Sequence, residues 1–351
     1  MIETKKAHEL DIVELTEDLP EFGLRRGKRG TVVEVFDNPE EAYVLEFVDE
    51  SGESSTLAYG VKPDQIENID VIAKGFYKRG MEALDEGNFV KALSSLRVAI
   101  SLIPSYVRAL HNSLAQSIGP HEDWGKFIFA MQLVRLIAPD YEMARENLAI
   151  AYLNYGVQEA KRGKYEESLV YFYASLAVEA SQEVIALVRE NIAASYSALG
   201  SQAFRSGDLK KTLDRFASAH FIASSEMTRK NVAKAQFHFA NFCASSGDLQ
   251  AALTSYQRAE DSGLMLPEVL NNHACALADS RQFAGAIMLL EAAHTLAPED
   301  DVIKSNLSKL LEVSQSSEST IEHLESEYIT EDIETDFLAP PMNVVALRVS
   351  V

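Results

Sequence analysis

Gly80-Met81-Glu82-Ala83-Leu84-Asp85-Glu86-Gly87-Asn88-Phe89-Val90-Lys91-Ala92-Leu93-Ser94-Ser95-Leu96-Arg97-Val98-Ala99-Ile100-Ser101-Leu102-Ile103-Pro104 is the stretch that decides the reading of this chain. Its small residues Gly80, Ala83 and Ala92 and its large apolar residues Phe89 and Leu96 fall at helical spacing on either side of Gly87. That pattern describes two helices in close approach: small positions let the backbones come together, and large ones fill the space between them. Gly87 serves the turn. Pro104 ends the second helix, because proline has no N–H and clashes with the preceding turn.

Extended back to Ala73, the stretch resembles the tetratricopeptide pattern of two helices per roughly 34 residues. A more degenerate second copy, anchored at Arg108, places Leu114 and Ala115 in its first helix and Gly119-Pro120 in its turn. Trp124 takes its aromatic position, Val134 lies in its second helix and Pro139 stands at its stop. The sixth copy carries Asn272, Ala274, Leu277, Phe283, Ala286, Leu290, Ala293 and Pro298 in register. Between them lie three copies of another length, with Arg145-x-Asn147-Leu148-Ala149, Arg189-x-Asn191-Ile192-Ala193 and Arg229-x-Asn231-Val232-Ala233, followed by turn glycines Gly163, Gly207 and Gly247. The Asn-to-Gly separation is 16 in all three (163 − 147, 207 − 191, 247 − 231), where the ordinary pattern expects about nine. The surplus is two helical turns, about 10 Å of added first helix. Asp301 to Val313 reads as a solvating cap, so residues 71–313 are expected to form six helix pairs and a thirteenth, capping helix.

The first seventy residues follow a different period. Gly30 to Phe36 and Ala42 to Val48 are rich in β-branched and aromatic residues, and Asp37-Asn38-Pro39-Glu40-Glu41 forms the turn between them. Asp11 to Leu15 alternates in the manner of a first strand, and Ser54 to Tyr59 supplies another. Short strands at this density suggest a small barrel. Asp11 to Pro20, Leu24 to Val33 and Lys62 to Ile66 resemble a small prokaryotic domain family of uncharacterised function, over roughly Glu9 to Asn68. The resemblance implies a Src-homology-like barrel and no chemistry. Gly27 to Val33 is also similar to the KOW motif of ribosome and transcription-factor barrels.

The whole chain therefore reads as mainly α: an α-solenoid of tetratricopeptide-type helix pairs over 71–313, preceded by a small all-β barrel over 1–70. The tail over 314–351 is acidic until Glu334 and is expected to be largely disordered. Its last eight residues, Val344 to Val351, have the β-propensity to dock on a sheet edge or to be offered to a partner as an added strand.

Of the 351 residues, 53 are Asp or Glu and 32 Lys or Arg, and the net charge of −21 repels nucleic-acid phosphates and anionic lipid. No run of apolar residues reaches membrane-spanning length. Cys243 and Cys275 lie within helical patterns, too few for a disulfide framework or a zinc site, and fit a reducing, cytoplasmic setting. The eight histidines show no metal-ligand spacing, and there is no phosphate loop or nucleophile elbow. No catalytic residue, cofactor or metal is expected.

The expected role is a non-enzymatic scaffold holding a peptide or protein partner. An immunity- or antitoxin-like protein that covers a basic toxin is the alternative. In the resembled family, first-helix asparagines bond the backbone of a bound peptide, which implies that role for Asn147, Asn191, Asn231 and Asn272. The family's dicarboxylate clamp does not carry over, since Tyr77 and Met81 stand where it needs Lys and Asn. Arg145, Arg189 and Arg229 lie about 200° around the helix from their asparagines. Each Arg-x-Asn pair can therefore face a groove, or can form a polar ladder between repeats. Arg25, Arg26, Lys28 and Arg29 form a dense basic cluster, either a contact for an acidic partner or a solvated turn built on Gly27 and Gly30.

Overall fold

A computed structural model describes residues 6–48, 55–118, 123–315, 327–329, 337–339 and 341–343. Strands β1 (Ile12–Leu15), β2 (Arg29–Phe36), β3 (Ala42–Val48), β4 (Ser55–Val61) and β5 (Ile66–Asn68) form an antiparallel sheet of order β4-β3-β2-β1-β5. Val13, Leu15, Val32, Leu45 and Phe47 alternate onto its buried face with Leu19, Leu24 and Ala58. The helices that follow are α1 (Ile69–Asp85), α2 (Phe89–Leu102), α3 (Tyr106–Ile118), α4 (Trp124–Ile137), α5 (Glu142–Lys161), α6 (Tyr165–Leu176) and α7 (Gln182–Arg205). They continue through α8 (Leu209–Ile222), α9 (Glu226–Ser245), α10 (Leu249–Asp261), α11 (Pro267–Asp279), α12 (Phe283–Leu296) and α13 (Asp301–Gln315). The expected strands and the thirteen helices are thus present among the described residues.

Two compact units divide the chain within α5, one running to Leu148 and the other from Ala149. In the first, the sheet does not end cleanly at residue 70. Ile69, Ala73 and Ile103 share a buried cluster with Ile12, Leu102 and Tyr106. Asn68 caps α1 by accepting the Val71 N–H at 3.1 Å and donates to Asp11 at 2.7 Å.

Local chemistry repeats from pair to pair. Gly87, Gly163, Gly207 and Gly247 all have φ between 73° and 81°, the left-handed conformation that stops one helix and redirects the chain. The side chain of Asn88, Asp123, Asp208 or Asp248 then caps the next helix by accepting the N–H three residues on, at 3.0 to 3.2 Å. Arg281, with φ 60°, takes the same conformation before α12. First helices α5, α7 and α9 have 20, 24 and 20 residues against 13 for α3 and α11, the lengthening expected from the spacing.

Within three of the pairs a glycine admits a large partner. A Cβ on Gly80 would lie 2.6 Å from Leu96, one on Gly156 2.5 Å from Phe172 and one on Gly200 2.9 Å from Phe216. Leu96, Phe172 and Phe216 are fully buried by this approach. Phe89, expected to fill the inter-helix space, instead starts α2, is 49% exposed and packs edge-on against Phe129 with centroids 4.8 Å apart.

Overpacking by one methyl group costs about 1–3 kcal/mol in a dry interface. Gly156→Ala is expected to lower stability by that amount in urea unfolding. Gly75→Ala is the control: its Cβ meets nothing within 4 Å, so the change is expected to be neutral or to stabilise by up to about 1 kcal/mol through helix propensity.

Candidate functional site: an asparagine row

Helices α7, α9, α11 and α13 carry Asn191, Asn231, Asn272 and Asn306, which are 0%, 3%, 0% and 2% exposed. An amide side chain offers one acceptor and two donors, so it can satisfy both the N–H and the C=O of a single extended residue. Three of the four do so, with the chain's own C-terminal residues. Asn306 Nδ2 donates to the Glu327 carbonyl at 2.8 Å while its Oδ1 accepts the Glu327 N–H at 3.1 Å. Asn272 holds Ile329 in the same way at 2.8 and 2.7 Å, and Asn191 holds Asn343 at 2.8 and 2.8 Å. Asn231 Nδ2 donates to the Leu338 carbonyl at 2.7 Å.

Side chains add to this backbone grip. Asn271 Nδ2 lies 3.2 Å from the Glu327 carbonyl and its Oδ1 accepts from Asn306 at 3.0 Å. Tyr328 donates its hydroxyl proton to Asp279 at 2.7 Å, and burial together with that bond raises the phenol's pKa. Phe337 stacks on Phe216 at 4.5 Å and meets Phe204 edge-on at 4.9 Å. The thiols are not nucleophiles in this setting: burial pushes Cys275 up to about 12 and also raises Cys243.

The asparagines make contacts of both kinds left open by the Arg-x-Asn pairs, and Asn272 makes both at once, since it also donates to Asn241 of α9 at 3.1 Å. Asn147, on α5, donates to His111 Nε2 of α3 at 2.9 Å, a contact between helices. Asn191, Asn231 and Asn272 meet the tail. The arginines stand apart from that row: Arg145 lies 3.6 Å from Glu142, Arg229 donates to the Ser262 carbonyl at 2.8 Å, and Arg189 is exposed.

Asn306 went unread because α13 looked like a cap whose polar face only meets water. Its spacing was the available signal, since it stands 34 residues after Asn272 (306 − 272), the ordinary repeat period. The tail, expected to be largely disordered over 314–351, has eleven described residues, of which 314 and 315 end α13 and the others are 327–329, 337–339 and 341–343. Val344 to Val351, expected to form an added strand, and Gly119-Pro120, expected in a turn, lie outside the described residues.

In the sheet, Arg25, Arg26 and Lys28 are exposed on a turn whose Gly27 has φ 83° and donates to the Leu15 carbonyl at 2.8 Å. Gly30 is needed for close approach, as a Cβ there would lie 2.8 Å from the Phe47 ring. Arg29 differs from its neighbours: it pairs with Glu14 at 3.0 Å and donates to the Leu102 carbonyl at 2.8 Å. Among the described residues no group of His, Cys, Asp and Glu is arranged to hold a metal ion, and no helix is long and apolar enough to cross a membrane.

Residues 9–68, the span of the sheet, match a family model described as a domain of unknown function, DUF4926. No curated protein matches the chain. Among solved structures, the chain is similar to the TPR2AB-domain:pHSP90 complex of yeast Sti1, with 16% identity over 70% of this chain and 99% of that one, at a TM-score of 0.28. It is also similar to a TPR repeats protein from Bacteroides fragilis, with 14% identity over 69% and 98% of the two chains and a TM-score of 0.30. Pseudomonas aeruginosa pilF gives 14% identity over 69% and 99%, with a TM-score of 0.27. The helix pairs, their repeated turns and their close packing give the chain the fold of an α-solenoid of tetratricopeptide-type helix pairs after a small N-terminal β domain.

Two outcomes follow from this geometry. Glutamate at Arg25, Arg26 and Lys28 together is expected to leave stability within about 0.5 kcal/mol of wild type. Arg29→Ala loses two hydrogen-bonded contacts, one of them to the last carbonyl of α2, and is expected to cost about 0.5–1.5 kcal/mol in thermal unfolding.

His111 supplies a third outcome. Burial lowers its pKa from 6.5, and as acceptor from Asn147 it must be neutral. A folded-state pKa below the unfolded value means stability is present above about pH 6.5 and is lost as pH falls through the folded-state value. Melting temperature is therefore expected to drop more between pH 7.5 and 5.5 in wild type than in His111→Gln.

Proposed function

We propose that this protein is a non-catalytic interaction scaffold that binds an extended segment of a protein partner by its backbone, along Asn191, Asn231, Asn272 and Asn306. One observation carries the reading: three of these amides each bond both the N–H and the C=O of one tail residue. Such pairing reads an extended backbone without regard to its side chains, as strand addition does at a sheet edge. It excludes proline at the gripped positions, which has no N–H to give. The sheet of residues 1–70 is a second recognition module in this reading, with Arg25, Arg26 and Lys28 as its contact for an acidic partner. The protonated thiols of Cys243 and Cys275 suit a reducing cytoplasm.

Hydrogen exchange on the full chain tests the grip. The amides of Ile329 and Asn343 are expected to be protected in wild type and to exchange freely in the triple variant Asn191→Ala, Asn231→Ala, Asn272→Ala. The helices should keep their circular dichroism, because the amides are met chiefly by the tail backbone, and the one bond between helices that is lost is that of Asn272 to Asn241 at 3.1 Å. Unchanged protection would refute the proposal. So would a triple variant that unfolds several kcal/mol earlier, the cost of orphaned partners inside a structural ladder.

A further inference from the structure

Resting on that reading, we infer that the chain's own C-terminal residues are the resident ligand of the asparagine row, anchored by Phe337. The partner is then an extended segment with an aromatic side chain that displaces them.

The tail meets the asparagines in reverse order of the helices: Glu327 at Asn306 of α13, Ile329 at Asn272 of α11, Leu338 at Asn231 of α9 and Asn343 at Asn191 of α7. One segment thus engages all four, from the last helix back to the first. The backbone bonds cannot select a sequence, so selection falls to the side chains that enter the helices. Phe337 is the one that enters an aromatic slot, made by Phe204 of α7 and Phe216 of α8, with the His238 ring of α9 6.3 Å away. The floor of the slot, Phe216, is the same ring that packs against Gly200. Its neighbour Leu338 remains 60% exposed, and Ala339 and Pro341 are exposed too. A segment held by backbone amides, by one ring in its slot and by the Tyr328–Asp279 and Asn343–Glu190 side-chain bonds is replaceable, because a competitor with an aromatic residue in register makes the same backbone bonds and fills the same slot. What favours the tail is its tether through residues 316–326, which gives it an effective concentration on the order of 1 mM.

The test uses a fluorescent peptide of residues 327–343 and the full chain as wild type, Phe337→Ala and Asn343→Pro. Both substitutions lie in the tail and leave the helical site intact; the second removes the N–H that Asn191 accepts. Wild type is expected to bind the peptide weakly, and each variant at least about tenfold more tightly, as its own tail ceases to compete. A peptide carrying Phe337→Ala is expected to lose at least tenfold in affinity for the Phe337→Ala chain.

Equal, measurable binding by wild type and both variants overturns the resident-ligand inference and leaves the backbone grip standing. Absence of binding to all three overturns both. Undiminished binding of the altered peptide overturns the aromatic anchor. A concentration-dependent dimer, seen by light scattering in wild type and lost in Phe337→Ala, would put the tail on a second copy and overturn the resident-ligand inference.

Discussion

The approach of a glycine on one helix to a large ring or leucine on the next is the contact on which the rest of the helical region depends. Gly80 meets Leu96, Gly156 meets Phe172 and Gly200 meets Phe216 at distances that no side chain on the first helix would allow. Each spacing is sixteen residues (96 − 80, 172 − 156, 216 − 200), just enough to finish one helix, make a left-handed turn and begin the next. The opposite side of the first helix faces away from that contact, as at Asn191, nine residues before Gly200 on α7 (200 − 191). The asparagines occupy that side in the second unit. Packing and site are therefore two faces of one helix, and the period that sets the first also places the second.

Burial of Asn191, Asn231, Asn272 and Asn306 has a meaning that only their partners reveal. A dry amide costs free energy unless its donor and acceptor are met. Here they are met by a main chain that comes from 21 residues away at Asn306 and from 152 residues away at Asn191. The same amides would be solvated if that segment left. The proposed exchange at this site rests on that difference between a backbone partner and water. Asn147 is set differently: its partner His111 belongs to a neighbouring helix and does not leave.

Much of the fold was legible because it rests on local chemistry. Gly87-Asn88, Gly207-Asp208 and Gly247-Asp248 state both the end of one helix and the cap of the next. The surplus residues between Asn147 and Gly163, Asn191 and Gly207, and Asn231 and Gly247 appear directly as the longer α5, α7 and α9. The period-2 runs of the first seventy residues became β1 to β4 almost as read. Phe89 was misjudged because a helix's first residue can sit at the rim of an interface while keeping the motif's spacing. Asn306 was overlooked because a polar face on a terminal helix looks the same whether it meets water or a backbone.

The sequence by itself determined the number and kind of the elements, the tight contacts within pairs and the recurrence of an asparagine on successive first helices, since all of these follow from neighbours within a few tens of residues. Only the tertiary structure decided what the asparagines face. Residues 327 to 343 carry no periodic pattern, and their contacts are backbone hydrogen bonds, which leave no trace in side-chain identity. Phe337 could be assigned to its slot only once Phe204 and Phe216, from two helices, stood within 5 Å of a ring more than a hundred residues further along the chain.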